Sequence, residues 1–78
     1  MNAKNVTVYS TPTCPYCVRV KEYLTKKGVV YRDLNVAVDR VAAHEMVQKS
    51  GQMGVPVIVV DDKVVIGFNQ RELERLLA

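Results

Sequence analysis

The pattern of hydrophobic and polar positions divides the first half of the chain into a strand, a helix and a second strand. Residues 5–10 are rich in β-branched side chains and alternate between the two classes, which predicts a strand. Residues 15–27 carry apolar side chains at helical spacing, and Gly28 is placed to end that helix. Residues 29–34 form a second β-rich run. The short links around the helix predict a parallel βαβ unit with a right-handed crossover.

The second half of the chain predicts a helix followed by a β-hairpin. Asp39 is a good N-cap for a helix over residues 40–50, and Gly51 stops that helix. Residues 57–60 are uniformly apolar, as in a strand that is covered on both faces. A short polar turn separates them from residues 64–67, which predicts an antiparallel hairpin.

The last segment predicts a third helix. Asn69 is its expected N-cap, and Glu72 three residues later completes a pattern similar to a capping box. Leu73, Leu76 and Leu77 form its apolar stripe. The predicted order is β-α-β-α-β-β-α, which is an α/β protein with a four-stranded mixed sheet and three helices.

Length and composition favour one small domain. The chain has 78 residues, 49% of them hydrophobic, and we expect a single domain over residues 1–78. Residues 1–5 lack the apolar run of a signal sequence, and no stretch reaches the length of a membrane span. We therefore expect a cytoplasmic monomer with no membrane partner.

The charge pattern gives little indication of a partner. The formal charge of +3 comes from scattered side chains with no basic run, so no nucleic-acid partner is predicted. Arg19 and Lys21 belong to a solvated helix face in the simpler interpretation. In the functional interpretation, they attract anionic thiol substrates or an acidic partner surface.

The side chains best suited to a chemical reaction lie in Cys14-Pro15-Tyr16-Cys17, which holds the only two cysteines of the chain. The motif lies where the first predicted strand gives way to the first helix, and C-x-x-C in that position is typical of a redox dithiol. Pro15 suits the first position of a helix, because its missing N–H needs no partner there. Cys14 then lies just outside the helix N-terminus and Cys17 in the first turn, where the two sulfurs can form a disulfide.

The two cysteines are not expected to be equivalent. Cys14 lies at the positive end of the helix dipole, beside unpaired backbone N–H groups, and both features favour a thiolate. Cys17 shares an apolar stripe with Val20 and Leu24, so we expect it to be buried and protonated. The sequence thus predicts Cys14 as the attacking nucleophile and Cys17 as the resolving thiol.

Two other uses of the cysteines compete with the redox interpretation. A structural disulfide between residues three apart closes too small a loop to constrain the unfolded chain much. Two cysteines and His44 are too few for a closed tetrahedral zinc site in one chain, so no metal is predicted. A site shared between two chains stays open. His44 itself is expected on the surface, without a catalytic role.

Together these motifs give the chain a resemblance to the glutaredoxin family. Cys14-Pro15-Tyr16-Cys17 is identical to the dithiol motif of that family, and Val55-Pro56 matches its cis-proline loop. Residues 51–57 are similar to the loop of small bacterial glutaredoxin-like proteins. The resemblance covers nearly the whole chain and implies a minimal thioredoxin fold. It also implies a thiol–disulfide oxidoreductase that reduces protein or glutathione mixed disulfides through a Cys14–Cys17 redox couple.

The resemblance further implies a substrate-binding surface around the dithiol. Val55 is expected to present its backbone N–H and C=O to an extended thiol substrate, which pairs with it as an added strand. Tyr16 is expected either to pack over the bound substrate or to be an ordinary helix-surface side chain. The implied substrate-binding residues are Thr13, Pro15, Tyr16, Gln52, Val55, Pro56, Gly67, Phe68 and Asn69.

Several positions depart from the members of the family that use glutathione. Thr11 stands where they commonly carry Lys, and Met53 where they often carry Arg or Lys. Asn69 and Gln70 stand where an acidic residue commonly grips the glutathione amine. Hydrogen bonds to charged groups contribute about 1.5–3 kcal/mol each. We expect no bound cofactor, with glutathione as a co-substrate whose binding is weakened.

The electron donor is left open between glutathione and thioredoxin reductase. Phe68 stands where glutathione users commonly carry a second glycine, and this resembles redoxins that thioredoxin reductase reduces. For either donor, the expected partners are disulfide-containing proteins and low-molecular-weight thiols. A less favoured alternative is a glutathione-ligated iron–sulfur carrier, which Pro15 disfavours because cluster-binding members tend to have Gly or Ser there. A binding module without catalysis would require an unreactive Cys14.

Overall fold

The computed structural model describes residues 5–77. Its elements are β1 (Val6–Ser10), α1 (Pro15–Lys26), β2 (Arg32–Asn35), α2 (Arg40–Ser50), β3 (Val57–Val60), β4 (Lys63–Ile66) and α3 (Gln70–Leu77). The predicted order of strands and helices is therefore confirmed. Within residues 5–77, no helix combines the length and the apolar character needed to cross a membrane.

The four strands form one mixed sheet in the order β2-β1-β3-β4. β1 pairs with β2 in parallel and with β3 antiparallel, and β3 and β4 form the predicted hairpin. The register aligns Ser10 with Asn35, Tyr9 with Val57, and Val57 with Ile66. β1, β2 and β4 consequently end at the same edge at which β3 begins. We call this edge the site end of the sheet.

Helices cover both faces of the sheet, and each face has its own apolar cluster. Neighbouring residues of a strand point to opposite faces, so β1 and β3 contribute to both clusters. The first cluster, under α1 and α3, contains Val6, Val8, Val20, Leu24, Ile58, Val60, Val65 and Leu73. The second cluster, under α2, contains Tyr9, Ala42, Met46, Val57 and Val59. All four residues of β3 are buried, as its uniformly apolar sequence predicts.

The second strand begins later than predicted, at Arg32 rather than at residue 29. Gly28 has a φ of 73°, and the Val29 N–H donates to the Leu24 carbonyl at 3.0 Å. This arrangement is the Schellman motif that ends many helices. Because the N–H of Val29 serves to end α1, pairing with β1 starts only further along the chain. The other element limits agree with the prediction to within one residue.

The N-caps predicted for the second and third helices are present. Asp39 Oδ1 accepts the Ala42 N–H at 3.0 Å, and Asn69 Oδ1 accepts the Glu72 N–H at 3.2 Å. The predicted capping box is nevertheless only half formed. Among the contacts of residues 5–77, the Glu72 carboxylate pairs with Arg75 one turn further along, instead of reaching back to Asn69.

Candidate functional site

The dithiol motif and the proline loop meet at the site end of the sheet. Cys14 lies four residues beyond Ser10, where β1 ends, and Pro56 immediately precedes β3. The Val55–Pro56 peptide bond is cis, as the resemblance implied. The Gly67 N–H donates to the Pro56 carbonyl at 2.8 Å and so joins the segment before α3 to this loop. Three segments that contain the predicted site residues are thereby brought to one end of the molecule.

Cys14 is the N-cap of α1, in an extended conformation with φ −95° and ψ 112°. Its sulfur accepts a hydrogen bond from the backbone N–H of Cys17 at 3.1 Å. A thiolate accepts such a bond more strongly than a thiol and is also stabilised by the helix dipole. The side chain is partly exposed and not bridged to another cysteine. A substrate disulfide can therefore reach this sulfur, which lies at the N-terminus of α1.

Cys17 is fully buried in the first turn of α1, together with Val20 and Leu24, as the apolar stripe predicts. Burial raises the pKa of the Cys17 thiol to about 11, and the interaction with Cys14 adds to the rise. A hydrogen bond with the Thr11 backbone and the charge of Lys21 lower that pKa. One sulfur of the pair is thus accessible and hydrogen-bonded, and the other is buried and protonated at neutral pH.

Tyr16 lies beside the dithiol with 57% of its side chain exposed. The Arg19 guanidinium carbon is 5.6 Å from the centre of the Tyr16 ring, a distance at which cation and ring attract each other. Thr13 and Pro15, also predicted to touch the substrate, are exposed next to it. Both roles expected for Tyr16, a platform for the substrate and a surface side chain, fit this position.

The loop before Pro56 is clamped by the side chain of Gln52. Its Nε2 donates to the Gly54 carbonyl at 3.1 Å, and its Oε1 accepts the Gly54 N–H at 3.2 Å. A Cβ at Gly54 would lie 2.8 Å from that oxygen, so glycine leaves room for the clamp. The sequence predicts a substrate contact for Gln52, whereas its amide is engaged by its own loop, with one N–H and one lone pair left over.

The segment before α3 contributes the remaining predicted site residues. Gly67 has a φ of 79°, a conformation that favours glycine. The Phe68 ring packs against Tyr23 of α1, with ring centres 5.8 Å apart. Asn69 uses its side-chain oxygen to cap α3. Phe68 and Asn69 therefore have structural partners, and any contact they make with a substrate would be additional.

A polar network on the α1 side of the sheet was missed by the sequence analysis. Lys21 Nζ donates to Asp33 Oδ2 at 3.0 Å, and Asp33 Oδ1 accepts from the Ser10 hydroxyl at 2.7 Å. Ser10 is only 2% exposed. The one signal in the sequence is that Lys21 follows Cys17 by a helical turn. Lys21 is thus part of an ion pair and not a free surface cation.

His44, for which no catalytic role is expected, lies away from the dithiol. His44 is exposed on α2, as predicted. α2 packs on the opposite face of the sheet from α1, so this imidazole does not join the two cysteines. In the described part of the chain, no group of three or more His, Cys, Asp or Glu side chains is placed to hold a metal ion.

The chain is similar to several glutaredoxins and glutaredoxin-like proteins. Residues 6–65 match the family model described as Glutaredoxin. The chain is 46% identical over 72 residues to an uncharacterized glutaredoxin-like 8.6 kDa protein in the rubredoxin operon of Clostridium pasteurianum, with 92% of this chain and 96% of that protein covered. It is 38% identical over 63 residues to Glutaredoxin 3 of Escherichia coli K12, with 81% and 76% covered.

A solved structure from Escherichia coli adds a comparison at the level of the fold. This protein, NrdH-redoxin, is described as glutaredoxin-like with a thioredoxin-like activity profile. It superposes with a TM-score of 0.82 at 25% sequence identity, and the match covers 92% of this chain and 93% of NrdH-redoxin.

Proposed function

The chain belongs to the glutaredoxin family, and we propose that it is a dithiol thiol–disulfide oxidoreductase that acts through Cys14 and Cys17. One observation carries the proposal: the partly exposed Cys14 sulfur caps α1, while Cys17 three residues later is fully buried. An attacking thiolate must reach the substrate, whereas a resolving thiol is needed only after a mixed disulfide has formed beside it. The different burial of the two sulfurs suits these two roles.

Reduction of a disulfide then takes place in two exchanges. In the first exchange, the Cys14 thiolate attacks one substrate sulfur, a mixed disulfide forms, and the other substrate sulfur leaves as a thiolate that takes a proton from water. In the second exchange, Cys17 gives its proton to water, and the resulting thiolate attacks the Cys14 sulfur. The Cys14–Cys17 disulfide forms as the second substrate thiol is released. Two electrons have then passed from the dithiol to the substrate.

The substrate is proposed to bind along the loop that contains the cis peptide bond. The side chain of Val55 packs against the second apolar cluster, which fixes the backbone of this loop at the site end. An extended thiol peptide that pairs with the Val55 backbone would lie between this loop and Tyr16. Backbone pairing is independent of side-chain identity, which suits a reductase for several disulfide-containing proteins and low-molecular-weight thiols.

Single cysteine variants test the dithiol mechanism. We expect Cys14→Ser to reduce insulin disulfides no faster than the uncatalysed reaction, because no mixed disulfide can form. Cys17→Ser is expected to lose reduction of protein disulfides while it keeps glutathione-dependent reduction of mixed disulfides. His44→Ala, on the opposite face of the sheet, is the matched control and should behave as the unmodified protein. Full activity of Cys14→Ser would contradict the assigned roles.

A second candidate function differs only in the electron donor: a redoxin that thioredoxin reductase reduces, with weak use of glutathione. It is favoured by the lack of a cation at Thr11 and Met53 and of an acid at Asn69. Each missing charged hydrogen bond would cost about 1.5–3 kcal/mol of glutathione binding. The thioredoxin-like activity profile described for NrdH-redoxin, which has a similar fold, fits the same alternative.

Reduction kinetics of the oxidised protein separate the two donors. The rate is measured with glutathione plus glutathione reductase and, side by side, with thioredoxin reductase. Fast reduction by glutathione would identify glutathione as the co-substrate. Reduction by thioredoxin reductase alone would show that the missing charges prevent efficient use of glutathione. Thr11→Lys should raise the glutathione rate, whereas Thr25→Lys, which places a cation at an exposed position of α1, should leave it unchanged.

We also propose that the protein acts as a monomer in the cytoplasm. A dithiol reductant of this kind works where other thiols are kept reduced, which favours the cytoplasm over an oxidising compartment. Cell fractionation checks the location, and light scattering during gel filtration checks the monomeric state.

A further inference from the structure

The resolving thiol is fully buried, whereas the attacking sulfur is partly exposed. Cys17 has to become a thiolate in order to attack, yet it is fully buried and its pKa is raised to about 11. At neutral pH, only about one Cys17 side chain in 10⁴ would carry the negative charge. A positive charge held close to Cys17 would therefore speed the second exchange far more than the first.

Lys21 is a cation whose charge acts on Cys17. It follows Cys17 by four residues on α1, which places the two side chains on the same face of the helix. The Lys21 ammonium is paired with the Asp33 carboxylate at 3.0 Å, and 28% of the lysine side chain is exposed. The charge of Lys21 lowers the pKa of Cys17 against the effect of burial.

The partner of Lys21 is itself fixed by a buried group. Val8 and Asp33 are register partners on β1 and β2, so Ser10 and Asp33 are diagonal neighbours on the face that α1 covers. The Ser10 hydroxyl donates to Asp33 Oδ1 at 2.7 Å, and Ser10 is 2% exposed. An isolated surface ion pair contributes little. Here the buried hydroxyl holds the carboxylate in place, and the carboxylate holds the ammonium against α1.

No other cation among residues 5–77 takes this role. The titratable groups that act on Cys17 are Cys14, the N-cap of α1, and Lys21 within α1. Tyr23 is the other titratable side chain on the inner side of α1, and its ring packs against Phe68. The sheet and α3 otherwise present aliphatic side chains to α1, namely Val6, Val8, Ile58, Val60, Val65 and Leu73.

We propose that Lys21, held by Asp33 and Ser10, is a positioning residue that stabilises the Cys17 thiolate during the second exchange. The inference rests on the proposed dithiol function. In that exchange the Cys17 proton passes to water, the thiolate attacks the Cys14 sulfur, the bond from Cys14 to the substrate breaks, and the substrate leaves as a thiolate. Lys21 neither accepts a proton nor forms a bond. Its contribution is its charge and the place where that charge is held.

A neutral aromatic disulfide, dithiodipyridine, separates the two exchanges. Each exchange releases one thiopyridone, so stopped-flow absorbance resolves the attack by Cys14 from the resolution by Cys17. Because this disulfide carries no charge, attraction of an anionic substrate by Lys21 does not contribute. The test variant is Lys21→Met. The matched control is Lys26→Met, which removes an exposed lysine of the same helix that does not act on Cys17.

We expect Lys21→Met to slow the second phase about tenfold, which corresponds to one pKa unit, and to move its pH midpoint upward. The first phase should stay within about twofold of the unmodified protein, because Lys21 acts on the resolving thiol. Lys26→Met should change neither phase. Lys21→Arg keeps the charge and should keep the second phase within about threefold. Ser10→Ala keeps both charges but loosens Asp33, and should slow the second phase by about two- to threefold.

Two results would overturn the role of Lys21. One is a second phase that Lys21→Met leaves unchanged. The other is equal slowing of both phases in Lys21→Met without rescue by Lys21→Arg, which would indicate a purely structural contribution. Failure of the underlying function has a different signature, because a protein that does not use its dithiol would show no second phase even when unmodified.

Discussion

The first turns of α1 and α2 share one backbone geometry and differ in chemistry. Cys14 and Asp39 are both extended N-caps, with φ and ψ of −95° and 112° in one case and −105° and 101° in the other. Each side chain accepts the backbone N–H of the residue three positions later. Those residues, Cys17 and Ala42, are both buried. Both helices also begin at the site end, because β1 and β2 run parallel.

The two helix starts differ in the atoms of the N-cap side chain and of the side chain three residues later. The Asp39 carboxylate is a strong cap, and its only consequence is a more stable α2. The Cys14 sulfur is a weaker acceptor, but it can form a covalent bond with a substrate sulfur. Ala42 has no functional group, whereas Cys17 offers a second sulfur at the matching position. A redox dithiol therefore needs no unusual backbone, only sulfur at two positions of an ordinary capped turn.

Cys14→Asp gives α1 the same cap as α2 and should have the largest effect. We expect disulfide reduction to fall to the uncatalysed rate, because no sulfur remains to form the mixed disulfide. The free energy of unfolding should rise by about 0.5–1 kcal/mol, since a carboxylate caps a helix better and interacts favourably with its dipole. Insulin reduction and urea unfolding, on one preparation, measure the two effects. A destabilised Cys14→Asp protein would show that the two caps are not equivalent.

Cys17→Ala places alanine three residues after the cap in both helices, and it should remove the part of the pH dependence of stability that comes from Cys17. Burial raises the pKa of Cys17 from 9.0 to about 11, so the folded protein keeps this proton where the unfolded chain has lost it. The resulting stabilisation is complete below pH 9 and is lost as the pH rises through about 11. The unmodified protein should therefore lose about 2–3 kcal/mol more unfolding free energy than Cys17→Ala over this range.

Urea unfolding of the two proteins, below pH 9 and near pH 11, measures this difference. The lysines and tyrosines are common to both proteins, so their contributions cancel in the comparison. Parallel pH profiles would show that burial does not hold the Cys17 proton.

Asp39→Ala removes the cap of α2 alone and should have the smallest effect. We expect a loss of about 1 kcal/mol in the free energy of unfolding and a melting temperature lower by about 4–8 °C. Disulfide reduction per folded molecule should not change, because α2 carries no reacting group. Asp62→Ala, which removes an exposed carboxylate from the turn between β3 and β4, is the control. A drop in catalytic rate with Asp39→Ala would mean that the two helix starts are coupled.

The features that the sequence predicts well are those fixed by neighbours along the chain. The caps at Cys14, Asp39 and Asn69 depend on three or four consecutive residues, and the burial of Cys17 follows from helical spacing. The prediction for the start of β2 is wrong for a related reason. Val30 belongs to a β-rich run, yet it is 88% exposed, because the helix end at Gly28 uses local hydrogen bonds that the apolar pattern does not register.

The features that the sequence does not predict depend on register and on the choice of partner. Ser10 and Asp33 are 23 residues apart, and only the parallel alignment of β1 with β2 makes them neighbours. Likewise, nothing in the sequence indicates whether the Gln52 amide faces a substrate or its own loop, since both require the same side chain. Where a side chain has several suitable hydrogen-bond partners, tertiary packing decides which partner it takes. The pattern of residues along the chain does not contain this information.

The convergence of three helix starts has an electrostatic consequence. α1, α2 and α3 follow β1, β2 and β4, which all end at the site end of the sheet. The positive poles of three peptide dipoles therefore point toward one region. Backbone groups do not titrate, so the electrostatic potential that they produce is the same in acidic and in alkaline solution. Substitution of a surface lysine does not remove this potential. Thr11 and Met53 add no charge here, so at these two positions only the main chain attracts anions.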